Sequence, residues 1–161
     1  MSTQSTELRV KKIKDGTVID HIKPGYALAV LKILGVSKDS VTKDFDKIVT
    51  VAINVPSSRM GKKDVVKVEG RALAASELNR ISLITPDATI NFIQDYEVRK
   101  KVTVSLPKSI EGTVRCINPN CITNAREPVV ASFKVASRNP LRLRCNYCGR
   151  FLEEKEILDQ F

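Results

Sequence analysis

The placement of four cysteines constrains this 161-residue chain more than any other feature. None precedes residue 116, and the four stand as Cys116-x4-Cys121 and, after 23 intervening residues, Cys145-x2-Cys148. Each close pair can form a knuckle, a tight turn that aims two thiolates at one point. Two knuckles on neighbouring hairpins complete a tetrahedral four-sulfur shell. Asn118-Pro119-Asn120 supplies turn residues inside the first pair, and Gly149 follows the second, where positive φ is often needed. Soft thiolates in that geometry favour zinc, with an iron centre second. Because the protein would fill every coordination position, one structural Zn2+ is expected, with no site for an activated water. The alternative is four buried or redox cysteines. A redox Cys-x2-Cys pair usually sits at a helix N-terminus, whereas Cys145 follows a strand-like basic segment. A module this short cannot depend on its apolar core alone, so metal binding would form part of its folding free energy.

Upstream, the pattern alternates between strand and helix signals. Leu8–Ile13 and Thr17–Ile22 are β-branched and apolar, with the turn signal Asp15-Gly16 between them. Pro24-Gly25 opens a helical stretch, Tyr26–Leu34, in which Ala27, Val30, Leu31 and Leu34 share one face. Gly35 is placed to end it. Strands are expected over Lys47–Val55 and Asp64–Glu69, and a helix from an N-cap at Ser76 to about Ile84, stopped by Pro86. Ala88–Ile93 and Tyr96–Val104 read as two more strands. From Thr17 the order is β-α-β-β-α-β plus one strand, the ferredoxin-like unit. An antiparallel sheet follows, with both helices on one face and the other face open. Ser105–Lys108 reads as a linker. Short strands are expected over Ile110–Arg115, Val129–Val135 and Leu141–Arg144, without helical periodicity. The fold class is therefore α+β, with a first domain over residues 1–105 and a small all-β zinc domain over residues 106–161.

Composition narrows the function classes. At 42% hydrophobic and 28% charged, the chain is globular. No stretch approaches the ~20 apolar residues of a membrane span, and Met1–Thr6 lacks the apolar segment of a secretory signal. A cytoplasmic protein without membrane contact is expected. Residues 1–107 carry 18 Lys/Arg and 12 Asp/Glu, and residues 108–161 carry 9 and 6. The excess of +9 is thus spread over both halves rather than gathered in one arm, and such a field attracts phosphates in general. A zinc-ribbon nucleic-acid binder is the alternative function, motivated by a pI of about 9.5. Against it, aromatics are only 5% and tryptophan is absent, leaving no evident stacking surface. An enzyme is disfavoured by a single histidine, no spare cysteine and no glycine-rich phosphate loop.

Several stretches, in this order, are similar to the regulatory chain of aspartate carbamoyltransferase. They are Gly16-Thr17-Val18-Ile19-Asp20-His21-Ile22, Asn54-Val55-Pro56-Ser57, Met60-Gly61-Lys62-Lys63-Asp64, Ala88-Thr89-Ile90-Asn91, Tyr96-Glu97-Val98 and the two cysteine pairs. The resemblance implies a five-stranded allosteric domain with two helices, and a zinc domain that grips a catalytic chain. It implies no catalysis by the chain itself. Regulatory chains of this kind pair as homodimers through their allosteric domains, and three dimers join two catalytic trimers into a dodecamer of six catalytic and six regulatory chains. The effectors implied are CTP, UTP and ATP, controlling pyrimidine biosynthesis.

Matched position by position, the resemblance places the nucleotide at Val10, Lys12, Ile13, Val18, Asp20, His21, Lys67, Asn91, Ile93, Tyr96, Val98 and Lys101. Lys101 and His21 would meet the triphosphate and ribose, and Lys67 and Asp20 the ribose or base edge. Ile13, Val18 and Ile93 would make an apolar slot for the base. Asn118, Asn120 and Tyr147 would face the catalytic chain, although both asparagines have the simpler role of shaping the knuckle. Lys12 stands where the family often has a small residue, and Gly149 where it often has an acidic one. From the residues alone, Lys62, Lys63, Lys100 and Lys101 read as solvated surface, only the resemblance giving Lys101 a further role, and Asp20 reads as sharing a face with Val18 and Ile22.

Overall fold

The computed structural model describes residues 11–36 and 46–161. Its first sheet contains β1 (Gly16–Ile22), β2 (Val49–Ser57), β3 (Gly61–Glu69), β4 (Thr89–Gln94) and β5 (Glu97–Thr103), in the order β2-β3-β1-β4-β5. Every neighbouring pair is antiparallel. Helices α1 (Ala27–Ile33) and α2 (Ala75–Ile84) complete the β-α-β-β-α-β order, and β5 widens it at the edge of β4.

Period-two burial decides which face the helices cover. Thr17 and Ile19 of β1 are fully buried, as are Val66 and Val68 of β3. Ile19, Val66 and Val68 form one apolar cluster with Val30, Ile33 and Ile81 of the helices. Gly16 starts β1 where no side chain fits: its φ is +143°, and a Cβ would stand 2.2 Å from the Val68 carbonyl oxygen.

Two bulges flank one buried carboxylate. His21 (φ 55°) and Asn54 (φ 59°) interrupt the registers of β1 and β2 against β3. Asp64 of β3 lies between them with no exposed surface. Its carboxylate accepts the backbone N–H groups of Gly25 (2.9 Å), Ala27 (3.2 Å) and Asn54 (3.0 Å). The bulge also flips side-chain parity, so Ile22 returns to the core while Asp20 stays on the open face with Val18. The shared face expected for Asp20 and Ile22 is therefore corrected.

The expected helix at Tyr26–Leu34 is present, with Tyr26 as N-cap and Gly35 (φ 75°) just beyond its C-cap. The cap of α2 is Ala74 rather than Ser76. Glu77 reaches back to accept the Ala74 N–H (2.8 Å), the half of a capping box that needs no hydroxyl at the cap.

The second sheet runs β6 (Ser109–Glu111), β7 (Ser132–Arg138), β8 (Leu141–Cys145) and β9 (Phe151–Glu153) in sequential antiparallel order. Phe133, Leu143 and Leu152 fill its interior. The strand expected at Ile110–Arg115 is only three residues long, and the one expected at Val129–Val135 lies three residues later. Beyond the expected strands stand β9 and a short helix α3 (Glu154–Leu158), which buries Ile157. No helix among the described residues is long and apolar enough to cross a membrane.

Candidate metal centre and open sheet face

The four cysteine sulfurs converge from two loops. Cys145 ends β8, and Cys148 follows in a turn closed by Gly149 N–H to Cys145 O (3.0 Å), with Gly149 at φ 77°. Opposite them, the Cys121 N–H bonds to Asn118 O (3.0 Å), and Asn118 Oδ1 accepts the Asn120 N–H (3.0 Å). Asn124 Nδ2 donates to the carbonyls of Cys116 (2.8 Å) and Asn118 (2.7 Å), fixing the first knuckle from outside.

All four Sγ atoms lie within 4.8 Å of one another. Cys116 and Cys148 are 3.6 Å apart, and Cys121 and Cys145 3.8 Å. A tetrahedral ion with metal–sulfur bonds of about 2.3 Å requires sulfur–sulfur edges of about 3.8 Å. The donor set therefore fits a four-thiolate metal ion, and the CxxC pair sits at a strand end rather than at a helix N-terminus.

The sulfurs are unequal as acids. Burial pushes the Cys116 thiol up to about 12, against a hydrogen bond from the Asn118 backbone. The Arg150 backbone N–H holds Cys148 down to about 6, and the Thr123 hydroxyl, 3.2 Å from its sulfur, lowers Cys121. Of the residues expected to face a partner, Asn118 is half-buried in the knuckle, whereas Asn120 and Tyr147 are exposed, Tyr147 by 51%.

The other expected site falls on the open face of the first sheet. Strand register sets Thr50, Lys67, Val18, Asn91 and Lys101 in one row across all five strands. One step along, Gly16 pairs with Ile93, and Ile93 with Val98. Lys67 Nζ donates to Lys11 O (2.6 Å), and the Tyr96 N–H to Lys14 O (2.9 Å). Residues 11–14 are thus anchored beside the row at both ends, with Ile13 buried and Lys12 exposed. Tyr96 and Val98 are more than half exposed at the β4–β5 end. Val10 lies outside the described residues.

Asp20 and His21 stand at the opposite end of β1. Lys63 Nζ is 2.8 Å from Asp20 Oδ1, and the same oxygen accepts the His21 N–H (2.6 Å). His21 Nδ1 is 3.0 Å from Thr89 Oγ1. Burial works against ionising Asp20, but the Lys63 hydrogen bond and charge and the His21 N–H outweigh it, holding the carboxyl below its ordinary value. Burial lowers the His21 pKa. Asp20 opposes that shift, while the charges of Lys63, Arg59 and Lys101 reinforce it. Lys67 is likewise lowered by burial, against the pull of Asp20. Several cations therefore act on one shelf with few counter-charges. Lys63, which reads as solvated in the sequence, is 19% exposed and belongs to this cluster.

The chain matches the model of the aspartate carbamoyltransferase regulatory chain, allosteric domain, over residues 8–105, and that of its metal binding domain over residues 108–158. Proteins called aspartate carbamoyltransferase regulatory chain are similar along nearly their whole length. The one from Korarchaeum cryptofilum is 52% identical over 96% of this chain and 96% of its own. That of Pyrococcus horikoshii is 52% identical over 94% and 97%, and that of Methanocaldococcus jannaschii 51% identical over 92% and 94%. With an allosteric and a metal-binding domain in that order, and relatives that are regulatory rather than catalytic subunits, the chain belongs to the aspartate carbamoyltransferase regulatory chain family.

Proposed function

We propose that this chain binds nucleoside triphosphates on the open face of its first sheet and reports their presence to a catalytic chain held by its metal-binding domain. The observation that carries the reading is the Lys67–Val18–Asn91–Lys101 row, flanked by the Asp20–Lys63 pair and His21. Half-buried cations with little nearby acid suit a polyanion. Lys101, His21 and Lys63 meet the phosphates. Lys67, Asp20 and Asn91 bond the ribose or base edge, while Ile13, Val18, Ile93 and Val98 line a slot for the base. Backbone groups near Lys12 and Tyr96 discriminate base edges loosely, so CTP, UTP and ATP share the shelf.

The metal is Zn2+, bound by Cys116, Cys121, Cys145 and Cys148. With four thiolates filling its shell it supplies folding stability, not a reaction centre. The surface around Asn118, Asn120 and Tyr147 docks the catalytic chain. The chain divides near residue 105, pairs with a second copy through residues 1–105, and enters a cytoplasmic dodecamer of six catalytic and six regulatory chains.

Isothermal titration of the zinc-loaded chain with CTP and with ATP tests the reading. Saturable binding that is weakened by Asp20→Ala and by Lys101→Ala is expected. Absence of binding at millimolar nucleotide would overturn it. Co-purification with the catalytic chain, followed by activity assays with each nucleotide, tests the docking half separately.

A further inference from the structure

Helix α2 and the connection meet the second sheet along an apolar seam that is not solid. Leu83 and Ile84 of α2, Leu106 of the connection and Leu141 of β8 belong to one buried cluster. Beside them lies a cavity of about 300 Å³ whose rim carries Lys23, Arg138 and Glu154. Apolar contact next to a void permits sliding, so a directional polar contact has to select the angle between the two units.

Glu154 supplies that contact. As the first residue of α3, it accepts a hydrogen bond from Tyr26 Oη (2.5 Å) and pairs with Lys23 Nζ (3.3 Å). Lys23 Nζ also lies 4.8 Å from the centroid of the Tyr26 ring. Among the described residues, the side-chain hydrogen bonds that join residues 16–103 to residues 109–158 converge on this one carboxylate. The Tyr26 hydrogen bond holds the Glu154 carboxyl below its ordinary value, as expected of an ionised acceptor.

Both ends of the cluster connect to the sites already described through short, hydrogen-bonded stretches of chain. Lys23 is two residues beyond His21, and its N–H is held by Thr85 Oγ1 (3.0 Å) on the segment that carries Thr89, the partner of the His21 ring. Glu154 follows β9 directly, and β9 pairs with β8, which ends in Cys145. Only the turn at Pro24-Gly25 separates Lys23 from Tyr26, and its Gly25 N–H is held by Asp64 (2.9 Å).

We propose that Lys23, Tyr26 and Glu154 form the positioning latch through which occupancy of the open sheet face is passed to the metal-binding domain; this rests on the nucleotide-binding reading above. A ligand that pulls His21 toward its phosphates moves Lys23 and Tyr26 with the strand end. The Glu154 contact then converts that movement into a change of angle at the seam.

Hydrogen exchange of the full, zinc-loaded chain with and without saturating CTP tests the latch, with affinity measured in parallel by titration calorimetry. In the wild type, CTP should change exchange at residues 149–158 severalfold, well away from the nucleotide. Tyr26→Phe and Glu154→Gln should keep their zinc and their CTP affinity within about twofold while losing that distant response, and the double variant should lose no more than either single one. A distant response retained in both variants, or CTP binding by the wild type without one, would overturn the latch alone. Failure of the wild type to bind CTP would overturn both readings.

Discussion

Lys63 and Asp20, 43 residues apart in sequence, meet with Nζ 2.8 Å from Oδ1 and 3.1 Å from Oδ2 on the open face of the first sheet. The pair joins β3 to the strand that carries His21. It also restrains a lysine whose remaining donors are free to meet a phosphate. Lys63→Met should therefore weaken CTP binding about tenfold, or about 1.4 kcal/mol. Calorimetry checks this, and an unchanged affinity would exclude Lys63 from the site.

The same pair sets an acid-side stability limit. The carboxyl of Asp20 is held below its ordinary 3.8. Its contribution is therefore present above the unfolded value and is lost as pH falls through the lower folded value. Urea midpoints measured from pH 5 down to about pH 3 should fall less steeply for Asp20→Asn than for the wild type.

His21 titrates in a more useful range. Its folded pKa lies below the ordinary 6.5, so as pH falls past 6.5 the unfolded chain takes the proton first and stability declines. A bound triphosphate reverses the preference by adding negative charge, which raises the pKa of the ring. CTP affinity should therefore rise as pH falls from about 7.5 to about 6. The nucleotide's own titration is common to all variants, so His21→Gln isolates the contribution of the ring. That variant should show a flatter profile.

Asp64 is a scaffold residue. Asp64→Ala would remove the fully buried acceptor of three N–H groups, that of Ala27 in a buried contact and those of Gly25 and Asn54 in partly buried ones. At about 1–3 kcal/mol for the buried Ala27 N–H and about 0.5–1.5 kcal/mol for each of the two partly buried bonds, the loss should be at least about 2 kcal/mol. A denaturant midpoint equivalent to a loss below about 1 kcal/mol would contradict this account.

Cys145→Ser, or removal of the ion by a chelator, should unfold the second sheet and leave the first intact. Its β7–β8 hairpin and both knuckles depend on the four sulfurs meeting. Amide spectra should lose dispersion for residues 109–158 and keep it for β1 to β5. Retained dispersion in both units would contradict the structural role of the metal.

What was legible in the sequence depended on range. The knuckles are local: spacing alone brings Cys116 to Cys121 and Cys145 to Cys148, with Asn118 and Gly149 marking the turns. The strand and helix order follows from periodicity, because each element buries one face. Lys62-Lys63 reads as a solvated charge run because Asp20, the partner of Lys63, lies on another strand. Strict alternation puts Ile22 on the open face, because nothing in Asp20-His21-Ile22 announces a non-glycine residue at positive φ. The strand β9 and helix α3, three and five residues long, are too short for a period to register. Glu154 accordingly carries no signal in the sequence, since its partner Tyr26 lies 128 residues away.

The most direct test of nucleotide binding on the open sheet face is chemical-shift mapping of CTP on the zinc-loaded chain. The account predicts that the largest changes in the first sheet fall on Val18, Asp20, His21, Lys63, Lys67, Asn91 and Lys101, with the back row of Ile19, Val66 and Val68 less affected. No shifts at millimolar CTP, or shifts confined to the basic surface of β7 and β8, would contradict it.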